Sequence, residues 1–264
     1  MLDLSLNIEP ILTGMDFYDR IQCAADLGFK AVEFWDPTVK DASRISRLAA
    51  ANKVSIAMCC MKGIFDITLN CPYPQLAAGV EQTARSMKEM GCSAMFILAG
   101  NVESKADTQK SIIIENLKRL TELAEKHDIR IHIEPVESLV ELKGQYLDLP
   151  RVAFEIIKCV NHPRVRMICD IYHMQVMEGN VIDGITKNID LISHFHSAAV
   201  PGRKEHFLGE NDYPTIIKAI ETTAYRGYFG VEYWPSFADH KKSLEAVVKY
   251  LRSEPWSSKA LEAS

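Results

Sequence analysis

The sequence predicts a single α/β domain folded as a closed (β/α)8 barrel of the TIM type. Three observations lead there. Eight short apolar runs alternate with eight amphipathic stretches along the 264 residues, the order expected of a parallel barrel. The runs are continuous in apolar residues, as in strands covered on both faces. No GxGxxG or GxxxxGK[ST] phrase follows any run, which disfavours a doubly wound open sheet.

The strand candidates are LDLSLNI (2–8), KAVEFW (30–35), VSIAMCC (54–60), SAMFILA (93–99), RIHIEP (130–135), RVRMICD (164–170), ISHFHSA (192–198) and YFGVEYW (228–234). The first helix candidate, 16–28, opens with Asp16 as a cap and closes at Gly28. Helical spacing continues over 41–52, 74–91, 111–127, 149–160, 181–190, 214–227 and 242–251. Gly28, Gly91 and Gly227 each join a helix to the next strand, as helix-terminating turns do. The barrel is expected over residues 1–252, with a polar tail at 253–264 that frays after Trp256.

Composition narrows the function classes. Net charge is −5 and the basic residues are scattered, so no nucleic-acid footprint is expected. No apolar stretch is long enough to span a membrane, and the N-terminus lacks the pattern of a signal peptide. The seven cysteines include no CxxC and sit mostly in apolar runs, which reads as small buried side chains in a reducing cytoplasm rather than a disulfide frame or a catalytic thiol.

Active sites of such barrels lie where the strands end. Strand candidates five to eight end in Glu134, Asp170, His196 and Glu232. Each sits in apolar surroundings, where an unpaired carboxylate is costly. A divalent cation supplies the compensation, and three carboxylates with one imidazole suit Mn²⁺ or Mg²⁺ first, with Co²⁺ as a further candidate. Buried ion pairs, such as Glu134 with Arg203, are the alternative. His173 starts the loop after strand six, where it can meet substrate or orient a carboxylate. Arg203, in the loop after strand seven, can clamp a substrate carboxylate or a polyol. His194 and His132 read as hydrogen-bonded core residues, Glu178 as a cap or a solvated group, and Glu33 as facing the pocket or a basic neighbour. Trp35, Phe65 and Trp234 are candidates for an apolar wall. Phosphate recognition is not expected, because no glycine-rich strand-end loop is present.

IEP at 133–135, DIYHMQVMEG at 170–179, ISHFH at 192–196, PGRKEHFLGENDY at 201–213 and YFGVEYWP at 228–235 resemble hydroxypyruvate isomerase, within the xylose-isomerase-like barrel superfamily of sugar isomerases and epimerases. The resemblance implies metal ligands at Glu134, Asp170, His196 and Glu232, with Glu134 and Glu232 also transferring the proton. It places His173 and Arg203 at substrate-contact positions, and it implies a dimer or tetramer. Two departures concern the pocket. Hydroxypyruvate isomerases usually carry Gln followed by Ile-Ala-Asp where this chain has His196 followed by Ser-Ala-Ala, and PVESLVELKG after Glu134 differs from their Asn-containing loop. His196 is the ligand type of the sugar epimerase branch.

The expected activity is therefore metal-dependent isomerisation or epimerisation of a small hydroxy-carbonyl compound, an oxo-acid or a ketose, through an enediolate. One alternative is a C-glycoside-cleaving subunit working with a small partner chain, suggested by a pocket opened at Ser-Ala-Ala. Another is a sugar-binding barrel without turnover. Phosphodiester hydrolysis, the activity of the superfamily's endonucleases, calls for more strand-end histidines than this chain offers.

Overall fold

The computed structural model describes residues 1–102 and 105–255. Eight parallel strands close into one barrel in chain order: β1 (Leu4–Asn7), β2 (Ala31–Phe34), β3 (Ser55–Cys60), β4 (Ala94–Ile97), β5 (Arg130–Ile133), β6 (Val165–Asp170), β7 (Ile192–Ser197) and β8 (Phe229–Val231). Pairing of β8 with β1, Leu4 opposite Phe229, completes the ring. Each strand falls within its apolar run. The helices are α1 (Asp19–Asp26), α2 (Ala42–Asn52), α3 (Tyr73–Met90), α4 (Asp107–Lys126), α5 (Pro150–Val160), α6 (Ile171–Met177), α7 (Val181–Lys187), α8 (Tyr213–Glu221) and α9 (His240–Leu251).

Local chemistry sets the helix ends. Asp41 caps α2 by accepting from Arg44 N at 2.9 Å, and Gly91 ends α3 at φ 75°, a left-handed turn that glycine adopts without steric cost. Three expectations are corrected. Asp16 does not cap α1: its carboxylate accepts from Tyr18 N at 3.1 Å, forming a turn that delays the helix to Asp19. The segment 214–227 is not helical throughout. Thr222 and Thr223 hydroxyls donate back to the carbonyls of Ala219 and Ile220, and α8 stops at Glu221. Residues after Asp170 are not a loop but α6, because the Asp170 carboxylate accepts from Tyr172 N at 2.8 Å and starts a helix.

Strand alternation sorts side chains into two shells. Outward residues such as Leu6, Val32, Met95, Ile131 and Phe195 join the helices in the main core. Inward residues Met58, Cys60, Ala94, Phe96, Leu98, Val136 and Ile168 form a second apolar cluster, on the β3–β4 side and floor of the barrel. Five of the seven cysteines are buried and all are free thiols, as their apolar settings suggested. Among the described residues, no helix is long and apolar enough to cross a membrane. The tail expected at 253–264 lies beyond α9, and its residues 256–264, Trp256 included, fall outside the described residues.

Candidate metal centre

The ends of β5 to β8 bring four buried groups together. Glu134 follows β5, Asp170 ends β6, His196 is on β7 and Glu232 follows β8. One potential ligand atom from each lies within 4.8 Å of all the others. His196 Nδ1 stands 2.9 Å from Glu134 Oε1 and 3.5 Å from Glu232 Oε2. Burial opposes charge on the His196 ring, but Glu232, Glu33 and Glu134 outweigh it and hold its pKa well above the usual value. Burial pushes the Asp170 carboxyl up to about 7, with Arg203 pulling it down and Glu134 and Glu232 pushing it further up. Three carboxylates crowded in an apolar barrel need positive charge, and His196 and Arg203 are the basic groups placed among them. The donor set fits a hard or borderline divalent ion once Nδ1 gives up its proton.

A layer beneath fixes His196. Its Nε2 faces Glu33 Oε2 at 3.1 Å, so the ring is oriented with Nδ1 toward the three carboxylates. Glu33 also meets His194 Nε2 at 3.1 Å and accepts from Ser5 Oγ at 2.8 Å. Burial notwithstanding, His194 and His196 keep its carboxyl well below the usual carboxylate range. Glu33 therefore faces both the barrel interior and its basic neighbours, and His194 is the hydrogen-bonded interior residue the sequence indicated. His132 is likewise bonded, to Ser193 Oγ at 2.9 Å. A Cβ at Gly230 would sit 2.8 Å from both Glu33 Oε1 and His194 Nε2, so glycine on β8 makes room for this layer.

His173 lies on α6. Its Nδ1 accepts from Glu137 N at 3.2 Å, which leaves Nε2–H toward Asp170 Oδ2 at 3.4 Å. Burial, with Arg203 and His196 nearby, keeps the ring neutral. His173 thus touches a carboxylate and also lines the cavity. Arg203, at φ 53° beside Gly202, turns inward: Nη2 donates to Glu232 Oε2 at 2.7 Å and to Asp170 Oδ2 at 3.3 Å, and Nη1 to Glu141 Oε2 at 3.4 Å. Its partners are these carboxylates and not Glu134. Asn7, at the end of β1, donates to Glu232 Oε1 at 2.6 Å. Sequence reading missed it, although a polar residue closing an apolar strand was the same signal that marked the others. Glu178 ends α6 and caps α5 through Arg151 N at 3.3 Å.

A cavity of about 400 Å³ opens onto this cluster. Glu134, Glu232, His173 and Arg203 line it, together with Trp35, Phe65 and Trp234. Asp170 and His196 stand behind its wall. Cys60 lines it too, but burial and the carboxylates push its thiol well up, leaving an unreactive group. Ser197, Ala198 and Ala199 do not line the cavity. Ser197 faces the outer shell, donating to Gly230 O at 2.8 Å, so the Ser-Ala-Ala run does not open the pocket as the sequence suggested.

Comparison with known proteins agrees with this architecture. The family model for the xylose isomerase-like TIM barrel matches residues 21–253. Hydroxypyruvate isomerase of Escherichia coli (strain K12) is 29% identical over 246 residues, covering 89% of this chain and 94% of that protein. A Homo sapiens protein described as a putative hydroxypyruvate isomerase is 28% identical over 253 residues, covering 89% and 90%. A solved structure from Brucella melitensis, described as an AP endonuclease, family 2, superposes with a TM-score of 0.88 at 25% identity, covering 95% of this chain and 99% of the other. The match over nearly the whole barrel shows that this chain belongs to the xylose isomerase-like TIM barrel family.

Proposed function

We propose that this protein is a metal-dependent isomerase or epimerase of a small hydroxy-carbonyl compound, acting through an enediolate, with Glu134 and Glu232 moving the proton. One observation carries the reading: of the four clustered groups, the two glutamates face the cavity while Asp170 and His196 sit behind them. The hydroxypyruvate isomerase relatives support the same class of chemistry.

Glu134, Asp170, His196 and Glu232 would hold the ion, Mn²⁺ or Mg²⁺ first and Co²⁺ next. A divalent cation there would act as a Lewis acid, lowering the cost of the negative charge that develops beside a carbonyl. The rest is the work of the chain. Both oxygens of Glu232 are held, one by Asn7 and one by Arg203. Glu134 is held at one oxygen by His196, and no described residue donates to the other. Glu134 is therefore the freer base to remove the proton from carbon, and Glu232, facing the same space, returns one. Acid–base assistance of this kind is worth about 10²–10⁴-fold. His173 Nε2–H and Arg203 position the substrate's oxygens, and Glu33 keeps His196 turned toward the site. Phosphodiester hydrolysis is not favoured, because the cluster holds a single imidazole and the cavity is lined by carboxylates that repel a phosphate backbone.

The test is entry of solvent deuterium at the carbon beside the carbonyl, screened over short hydroxy-ketones and oxo-acids with Mn²⁺ present. Exchange is expected in the wild type and lost by about 10²-fold or more in Glu134→Gln. Undiminished exchange in that variant would remove Glu134 as the base, and no exchange with any compound would favour a binding protein.

A further inference from the structure

The charge and polarity of the cavity select a class of substrate, an inference that rests on the isomerase or epimerase reading above. Five acidic residues line the cavity, Asp36, Asp66, Glu134, Glu141 and Glu232, of which Asp36 turns its carboxylate to Thr38 N and Oγ1. Asp170 stands immediately behind them and makes six. The sole lysine or arginine among the described lining residues is Arg203, and Glu232, Asp170 and Glu141 already engage its guanidinium. Even with a dication seated in the cluster, Glu134, Asp170, Glu232, Glu141 and Asp66 outnumber the positive charge of the ion and Arg203. An anionic substrate entering this space meets net repulsion, which Arg203, already shared among three carboxylates, offsets only weakly.

The opposite wall is apolar. Phe96 and Leu98 of the β4 side form its floor. Trp35 and Trp234 meet edge to face at 6.4 Å across the rim. They remain 38% and 36% exposed, and Phe65 is 69% exposed beside them. Large aromatic rings left uncovered at the mouth of a cavity of about 400 Å³ form a seat for a flat apolar group, in a volume far larger than a three-carbon acid fills.

We propose that the site takes an uncharged hydroxy-carbonyl compound bearing a ring-sized apolar group, in contrast to the short anionic oxo-acid named for the relatives. The metal end grips the oxygens, and Trp35, Trp234 and Phe65 cover the apolar part. Charge and apolar surface then discriminate together, one rejecting acids and the other favouring larger neutral molecules.

Calorimetric titration of the manganese-loaded protein with three probes separates these terms. Phenacyl alcohol is a neutral hydroxy-ketone with a phenyl ring, dihydroxyacetone is neutral without one, and hydroxypyruvate is small and anionic. Phenacyl alcohol is expected to bind about tenfold or more tightly than dihydroxyacetone, as burial of one ring provides. Hydroxypyruvate is expected to bind most weakly and to gain affinity as salt is added. The double variant Trp35→Ala, Trp234→Ala should remove the phenyl advantage. Phe65→Ala, which takes away a largely exposed side chain, should reduce it without disturbing the fold. Hydroxypyruvate binding as tightly as phenacyl alcohol, or a phenyl advantage that survives both variants, overturns the proposal. The ranking is a binding result and does not depend on turnover. Should the protein take up no manganese, the metal reading fails separately, and the same titrations on metal-free protein still give the ranking.

Discussion

Strands β5 to β8 deliver Glu134, Asp170, His196 and Glu232 to the barrel rim, whereas β3 and β4 deliver Cys60, Phe96 and Leu98. The charged half is stabilised by mutual pairing: His196 between Glu33 and Glu134, Arg203 between Asp170 and Glu232. The apolar half is stabilised by packing, with Phe96 set edge-on at 6.2 Å from the His196 ring. The contrast shows how one barrel divides its labour. The charged half carries chemistry that is costly to assemble, and the apolar half gives the site a packed apolar wall.

If the halves are separable, damage to one should spare the other. Phe96→Ala leaves a void in the apolar cluster and should lower unfolding stability by about 3–5 kcal/mol, read from urea denaturation. The same variant should retain its metal. Glu33→Gln works the other way. It removes the anion that orients His196 and should weaken manganese binding by about 10–100-fold, measured by competition with a chelator, with the outer core untouched. Loss of metal in Phe96→Ala, or full retention in Glu33→Gln, would break the division.

The smallest expected effect is a pH dependence behind the charged half. His206 bonds to Ser197 Oγ at 2.8 Å, and burial pushes its pKa down to about 3. The unfolded chain takes up this proton near pH 6.5 and the folded chain does not. The stabilising contribution is therefore complete above about pH 6.5 and declines as pH falls toward 3. Urea midpoints should drop gradually between pH 7 and 5, and less steeply in His206→Gln. Equal slopes in the two proteins would remove His206 as a source of acid sensitivity.

Much of this division can be read in the sequence. Strand-end positions follow from continuous apolar runs, a polar residue stands at or next to the end of runs five to eight, and alternation puts His194 and His196 on one face. The same parity argument places Ser197, one residue past His196, on the outer face, so its exclusion from the pocket was also readable. Other features depend on three-dimensional closure. Asp170 both joins the cluster and caps α6, a helix of only seven residues with too few turns to show a period. Arg203 turns inward through a left-handed backbone next to Gly202, and nothing in VPGRKEH separates that from a surface loop. Asn7 meets Glu232 only because β1 and β8 close the ring.

The most direct test of the four-group centre is a Mn²⁺ titration of metal-free protein, with free ion followed by electron paramagnetic resonance. Wild type should hold one ion per chain, keeping the free-ion signal flat until one equivalent has been added. Asp170→Asn preserves a good helix cap but removes a charged ligand, and its signal should rise from the first addition. A wild-type signal that rises at once, or a variant that binds as the wild type does, would contradict the account.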